Sequence, residues 1–304
     1  MMTEKLLLAP MEGVTTYIYR KILNKYYKGI DTFYTPFLSN TSFSHRELMD
    51  VLPDNNQGMH VIPQILANNS ETFLTIASKL KDFGYSEVNL NLGCPSGTVV
   101  AKKRGSGMLS DLKLLDTFLN DIYENCDMDI SIKTRIGVDS LYEWEDILKI
   151  YSKYPIKNLI VHPRLQVEFY KGSVHTDEYN MTTDCLKCPI FYNGDITSTE
   201  SFDRIKSNLT VAPEAYMVGR GIISNPNLIS ELKGTTQDNP KEIFRAFHDE
   251  LLDAYTEVMS GDMPVLFKMK ELWAFMGPAM NVDAKVLKKI KKARNLVEYR
   301  NLFI

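Results

Sequence analysis

At 304 residues the chain exceeds the usual length of one compact unit, which predicts a large domain with an appendage. Its 44% hydrophobic and 24% charged residues are ordinary for a soluble globular protein, and no apolar run nears the roughly 20 residues that span a bilayer. The Leu6-Leu7-Leu8 stretch is too short for a signal-peptide core, so a cytoplasmic protein is expected. Cys94, Cys126, Cys185 and Cys188 make no disulfide framework in a chain this long, and the net charge of −3 neither requires nor excludes a nucleic-acid partner.

In chain order, strands are predicted at Leu6–Ala9, Thr32–Pro36, Val61–Ile65, Glu87–Asn91, Asp129–Thr134, Asn158–His162, Ile190–Asn193 and Ala215–Val218. Their near-continuous apolar cores, such as Leu-Ile-Val-His, suit parallel strands covered by helices. Amphipathic helices are expected between them, at Glu71–Phe83, Asp111–Glu124, Glu143–Tyr154, Thr199–Lys206 and Asn227–Lys233, with Ser70 and Ser198 as N-caps. Eight strands alternating with helices predict a (β/α)8 TIM barrel, with a doubly wound open sheet as the alternative. The alternation stops at the polar Gly234–Pro240 stretch. Beyond it only helices are expected, at Lys241–Met259, Val265–Met276 and Ala284–Val297, giving a barrel over residues 1–235 and a small all-helical domain over 236–304.

The strands end in chemically capable residues. The first runs into Pro10-Met11-Glu12-Gly13 and the third ends at Gln64. The fourth delivers Asn91 before Gly93-Cys94-Pro95, and the fifth ends with Lys133 and Arg135. His162 and Arg164 follow the sixth, Asn193-Gly194-Asp195 the seventh and Gly219-Arg220-Gly221 the eighth. Barrel active sites are built from these ends. Any one of these residues also fits a cap or a tight turn, and it is their coincidence around the barrel that points to a site. Lys133 closing an apolar strand must meet a wet or occupied cavity, and with His162 it suits an anion or an electron-rich ring. The last two glycine-containing segments occupy the usual phosphate position of this fold, where Arg220 and backbone amides can bind phosphate oxygens. No strand-linked G-x-G-x-x-G is present, which disfavours a dinucleotide fold.

Cys94, on a shaped loop at a strand end, can serve as a general acid, a nucleophile or a metal ligand, although a buried cysteine is more commonly inert. With no clustered His or Cys partners, no metal is expected, and Cys185-x-x-Cys188 is read as structural. Residues 236–304 carry 11 Lys/Arg against 10 Asp/Glu, so any basic surface there must be local. Lys285, Lys288, Lys289 and Lys292 share one helix face, opposite an apolar stripe of Val286, Ile290, Ala293 and Val297.

As a set, the motifs resemble the tRNA-dihydrouridine synthase family. The matching pieces are Ala9-Pro10-Met11-Glu12-Gly13-Val14-Thr15, Gln64, Asn89-Leu90-Asn91-Leu92-Gly93-Cys94-Pro95, Lys102-Lys103-Arg104-Gly105-Ser106-Gly107, Lys133-Thr134-Arg135-Ile136-Gly137, His162-Pro163-Arg164, Asn193-Gly194-Asp195, and Gly219-Arg220-Gly221 with Asn225-Pro226. The chain departs from the family pattern at Thr16, Leu165 and Thr35-Pro36-Phe37. A monomer is expected, and the resemblance implies an enzyme that uses FMN, reduced by NADPH, to pass hydride to C6 of a uridine in tRNA while Cys94 protonates C5. It implies that Pro10, Met11, Gln64, Lys133, His162, Asn193, Asp195, Gly219 and Arg220 bind the cofactor and that Asn91 and Arg164 position the substrate. The RNA is expected to be gripped by Lys102, Lys103 and Arg104 and by Lys288, Lys289 and Lys292. Ribosomal RNA, a small-molecule FMN reduction of the dihydroorotate dehydrogenase type, a Lys133 Schiff-base aldolase and an RNA-binding factor with a vestigial site are the competing readings.

Overall fold

The computed structural model describes residues 4–279 and 282–302. The expected segments 1–235 and 236–304 also include residues 1–3, 280–281 and 303–304, which lie outside the described residues. Nine strands form one sheet: β1 (Lys5–Leu8), β2 (Thr32–Tyr34), β3 (Val61–Ile62), β4 (Gln64–Ile65), β5 (Glu87–Leu92), β6 (Asp129–Arg135), β7 (Leu159–His162), β8 (Ile190–Asn193) and β9 (Ala215–Val218). All pairings are parallel, in the order β3-β2-β1-β9-β8-β7-β6-β5-β4. The two ends of that order are consecutive in the chain and are divided only by Pro63, which has no N–H to give to a ladder. β3 pairs with β2 and β4 with β5, while the Pro63 carbonyl accepts the Asn89 amide at 2.9 Å. Residues 61–65 are therefore one stave bonded on both sides, and the nine strands are the eight staves of a (β/α)8 barrel.

Side-chain alternation then sorts the residues. Leu6, Leu8, Leu159, Val161, Tyr216 and Val218 face the helix layer in the main core. Leu7, Ala9, Ile160, Ala215 and Met217 form a separate cluster inside the barrel. The same alternation carries Asn89 and Asn91 of β5 inward, together with Ser131 and Lys133 of β6. Polar inner positions toward the strand ends are tolerable only because they bond to each other or line a cavity.

Helix boundaries follow capping chemistry. Asn69, not Ser70, caps the Ser70–Asp82 helix, its side chain accepting the Thr72 amide at 2.8 Å. Ser198 caps Thr199–Asn208 as expected. The expected last helix, Ala284–Val297, is two: Ala284–Lys292 and Leu296–Arg300. Asn295 breaks it, because its side chain caps the second helix by accepting the Glu298 amide at 2.8 Å. Val297 consequently leaves the apolar stripe and is 68% exposed.

After the barrel, helices Pro240–Val258 and Asp262–Ala279 pack back onto it. Phe247 meets the rings of Tyr19, Tyr26 and Tyr27 edge-on with centroids 5.4–6.3 Å apart. Tyr299 joins the C-terminal helices to one another, its hydroxyl lying 2.6 Å from the Trp273 Nε1 donor and 2.7 Å from the His248 ring. Among the described residues no helix is long and apolar enough to cross a membrane.

Candidate active site

A cavity of about 500 Å³ opens at the C-terminal ends of the strands. This is the end at which barrels of this kind hold their ligands, and the volume suits a cofactor with part of a substrate. Its floor is a chain of amides. The Gln64 side chain donates to the Asn89 carbonyl oxygen at 2.8 Å and accepts from the Asn91 amide at 2.8 Å, and Asn89 in turn donates to Ser131 at 3.0 Å. The Asn91 oxygen accepts the backbone N–H groups of Gly93 and Cys94 at 3.0 and 2.9 Å. Asn91 thus fixes the Cys94 loop from below with every polar atom committed.

From the other side, the Ser106 amide and hydroxyl both donate to the Cys94 carbonyl. Gly105, at φ +56°, sits so close that a Cβ would lie 2.7 Å from that same oxygen. The thiol reaches the cavity wall on this clamped loop. Burial pushes it above the usual thiol range, against the opposing pull of the Ser96 amide, Lys133 and Arg135.

Across the floor the charges are mostly positive. Lys133 projects into the cavity with no hydrogen bond or ion pair among the described residues. Loss of solvent, and then the neighbouring Arg135, push its ammonium down to about 7. His162 is held well below its ordinary range by burial first and then by Lys133, Arg135, Arg164 and Arg220, so it is neutral. Arg164 lies 3.1 Å from its Nε2, and because a guanidinium only donates, the imidazole proton sits on Nδ1. Arg164 itself is 1% exposed and clasps Asp195 with two hydrogen bonds of 3.0 and 2.5 Å. Arg220 reaches Asp195 at 3.4 Å and lies over the Tyr170 ring at 4.5 Å, with Arg135 over the same ring at 5.4 Å. Arg135 also donates to the carbonyls of Gly93, Leu165 and Phe169, tying the loops after β5 and β7 together.

The loops after β8 and β9 meet at Gly221, where an added Cβ would fall 2.1 Å from the Ile196 carbonyl oxygen. Gly221→Ala is therefore expected to cost about 3 kcal/mol, since backbone must move to admit one methyl group. A urea titration reads the loss directly, and an unchanged midpoint would show that the two loops are not locked at this point.

The dihydrouridine synthase family model matches residues 7–302, nearly the whole chain. The chain belongs to the dihydrouridine synthase family. It is 29% identical over 231 residues to a probable tRNA-dihydrouridine synthase of Staphylococcus epidermidis, spanning 72% of this chain and 69% of that one. It is 28% identical over 225 residues to tRNA-dihydrouridine synthase B of Pasteurella multocida, spanning 73% and 67%. A solved variant of NCR from Zymomonas mobilis aligns over 80% of this chain and 87% of its own at a TM-score of 0.48 and 14% identity. That last likeness is too loose to bear on the chemistry.

In this dihydrouridine synthase family member, the cavity gathers Pro10, Met11, Gln64, Asn91, Cys94, Lys133, His162, Asn193, Asp195, Gly219 and Arg220. Other residues assigned to the site from sequence lie elsewhere. Arg164 is behind His162 and Asp195, hydrogen-bonded to both and almost fully buried. Lys102 and Lys103 are exposed outside the cavity, with Lys103 paired to Asp111 at 3.1 Å, while Arg104 leans on the Ser39 carbonyl. Lys288, Lys289 and Lys292 are exposed on the Ala284–Lys292 helix, away from the cavity. Glu12, Phe37, Arg135, Tyr170, Glu271 and Phe275 line the cavity in addition. Glu12 and Arg135 stand inside the strand-end motifs and were open to detection there. Tyr170, Glu271 and Phe275 arrive by long-range packing and leave no local mark.

Proposed function

We propose that this protein binds FMN in the cavity and, with NADPH as reductant, reduces a uridine of tRNA to dihydrouridine. The observation that carries the reading is Lys133, which has no hydrogen-bond or ion-pair partner among the described residues, in a cavity that also presents a neutral imidazole and a protonated thiol. Such a lysine is stable only beside an anion or an electron-rich ring. Gly219 adds to the fit. A Cβ there would close on Ala9 Cβ at 3.3 Å and Met11 Sδ at 3.7 Å, so its absence leaves room between the ends of β1 and β9.

Lys133, His162 and Gln64 would hold the ring, and Asn193, Gly219 and Arg220 would hold the phosphate, at the position this fold favours. When bound, FMN supplies the hydride, taken from NADPH, that saturates the uracil C5–C6 bond. Cys94 delivers the proton to C5, a role that a raised thiol pKa serves because the proton is present at neutral pH. Asn91 keeps that thiol in place through the two backbone amides it accepts. Asp195 contributes by aligning Arg220 and Arg164, and the target base must leave its stack to reach the site.

The relatives' names motivate tRNA as the substrate, and the Ala284–Lys292 helix supplies a surface for its phosphates. Lys288, Lys289 and Lys292 are exposed there and make no ion pair among the described residues. Replacing all three by alanine is expected to weaken tRNA binding and to lower the slope of log affinity against log salt by about 2–3. Filter binding at several salt concentrations measures both, and an unchanged slope would remove this helix from the RNA surface. The reading as a whole is tested by an absorbance spectrum of the purified protein followed by anaerobic NADPH. Yellow protein that bleaches, and then forms dihydrouridine on adding unmodified tRNA, is the expected result. Protein that stays colourless after reconstitution with FMN would overturn the proposal.

A further inference from the structure

Resting on the uridine-reducing reading above, we infer that Glu271 recognises the ribose 2′-hydroxyl of the target nucleotide, so that a residue of a C-terminal helix selects RNA over DNA. The cavity walls differ in character. Its floor, at the strand ends, presents Gln64, Lys133, His162 and Asn193. Its mouth is roofed by the Asp262–Ala279 helix, which contributes Glu271 and Phe275.

That helix is pinned in register. Lys268 donates to the Gly13 carbonyl at 2.6 Å and to a Glu271 carboxylate oxygen at 2.5 Å. Lys268 is nearly buried, its side chain 12% exposed, whereas that of Glu271 is 43% exposed. The second Glu271 oxygen makes no hydrogen bond among the described residues.

A nucleotide flipped into the cavity enters base first, because its sugar remains joined to the strand outside. The base comes to rest beside Cys94, above the floor residues that would hold the flavin, and the ribose stops at the mouth. Within a strand the 3′ and 5′ oxygens are esterified, which leaves the 2′-hydroxyl as the one hydrogen-bond donor on the sugar. A carboxylate only accepts, so it complements a donor and nothing else on that ribose. The Lys268 ammonium neutralises the carboxylate, which lets a phosphodiester pass close by without strong repulsion. Phe275, one turn further along, gives the sugar and base edge an apolar wall.

The test uses the flavin-loaded full-length protein with three versions of one tRNA. They carry at the mapped target position uridine, 2′-deoxyuridine or 2′-fluoro-2′-deoxyuridine, the last retaining an RNA-like sugar while lacking the donor. Dihydrouridine formation and equilibrium RNA binding are both measured. Wild type is expected to prefer the uridine RNA by roughly ten-fold in kcat/KM over both analogues. In Glu271→Ala the ratio should fall to within about two-fold of unity, and Glu271→Gln, which keeps an acceptor oxygen, should retain most of it.

Indifference of the wild type to the 2′ group would overturn the inference. So would Glu271→Ala lowering all three substrates equally, the signature of a helix that is only structural. A wild type that bleaches with NADPH yet forms no dihydrouridine in any of the RNAs would overturn the parent reading, and this one with it.

Discussion

Cys94→Ala is expected to retain bound flavin and its reduction by NADPH while losing about 10²–10⁴-fold in dihydrouridine formation, the contribution usual for a positioned general acid. The separation is possible because the Cys94 loop is held by backbone contacts that a side-chain truncation leaves intact. Asn91 accepts its amides, and Ser106 donates to its carbonyl. Rapid mixing of pre-reduced protein with tRNA isolates the affected step. The wild-type rate in that experiment should stay level across neutral pH and decline only above the raised thiol range, where the proton is lost. Unimpaired turnover in the alanine variant would assign the proton to another group.

Lys133→Met should make the protein without flavin more stable and at the same time unable to hold flavin. The lysine has a folded-state pKa of about 7 against an ordinary value of 10.5, because burial disfavours its charge. Between those two values the unfolded chain binds the proton more readily than the folded one. The destabilisation is therefore complete below about pH 7 and is relieved as the pH rises toward 10.5. Part of the side chain is reached by water through the cavity, so only a fraction of the shift becomes stability. A gain of about 1–2 kcal/mol at pH 6 is expected, shrinking as the pH approaches 10. Thermal unfolding across that pH range measures it, alongside flavin content. A variant that is less stable at pH 6 would show that the ammonium is not held at a cost.

The barrel was legible in the sequence because short apolar runs alternating with amphipathic helices have few other solutions. So was the convergence of the strand-end residues on one cavity, because strand ends in this fold meet at one face. What escaped depends on atoms distant in the chain. Asn69 and Asn295 took over helix ends because either side chain can accept the amide three residues on, and sequence alone does not choose among neighbouring capping residues. Arg164 reads as a substrate contact from its strand-end position, yet its guanidinium turns back to His162 and Asp195 beneath the cavity. Glu271 reads locally as an ordinary surface charge and Phe275 as core, and nothing near either in the sequence places them at a cavity.

The hydrogen bond from Lys268 to the Gly13 carbonyl joins residues 255 apart in the chain. During synthesis the ribosome finishes every barrel strand before it makes the helix that roofs the cavity mouth. A nascent chain therefore carries every residue of the floor and the thiol while the residues of its entrance are still unmade. A complete pocket becomes available only late in translation, and truncated products that keep the whole barrel still lack one wall of it.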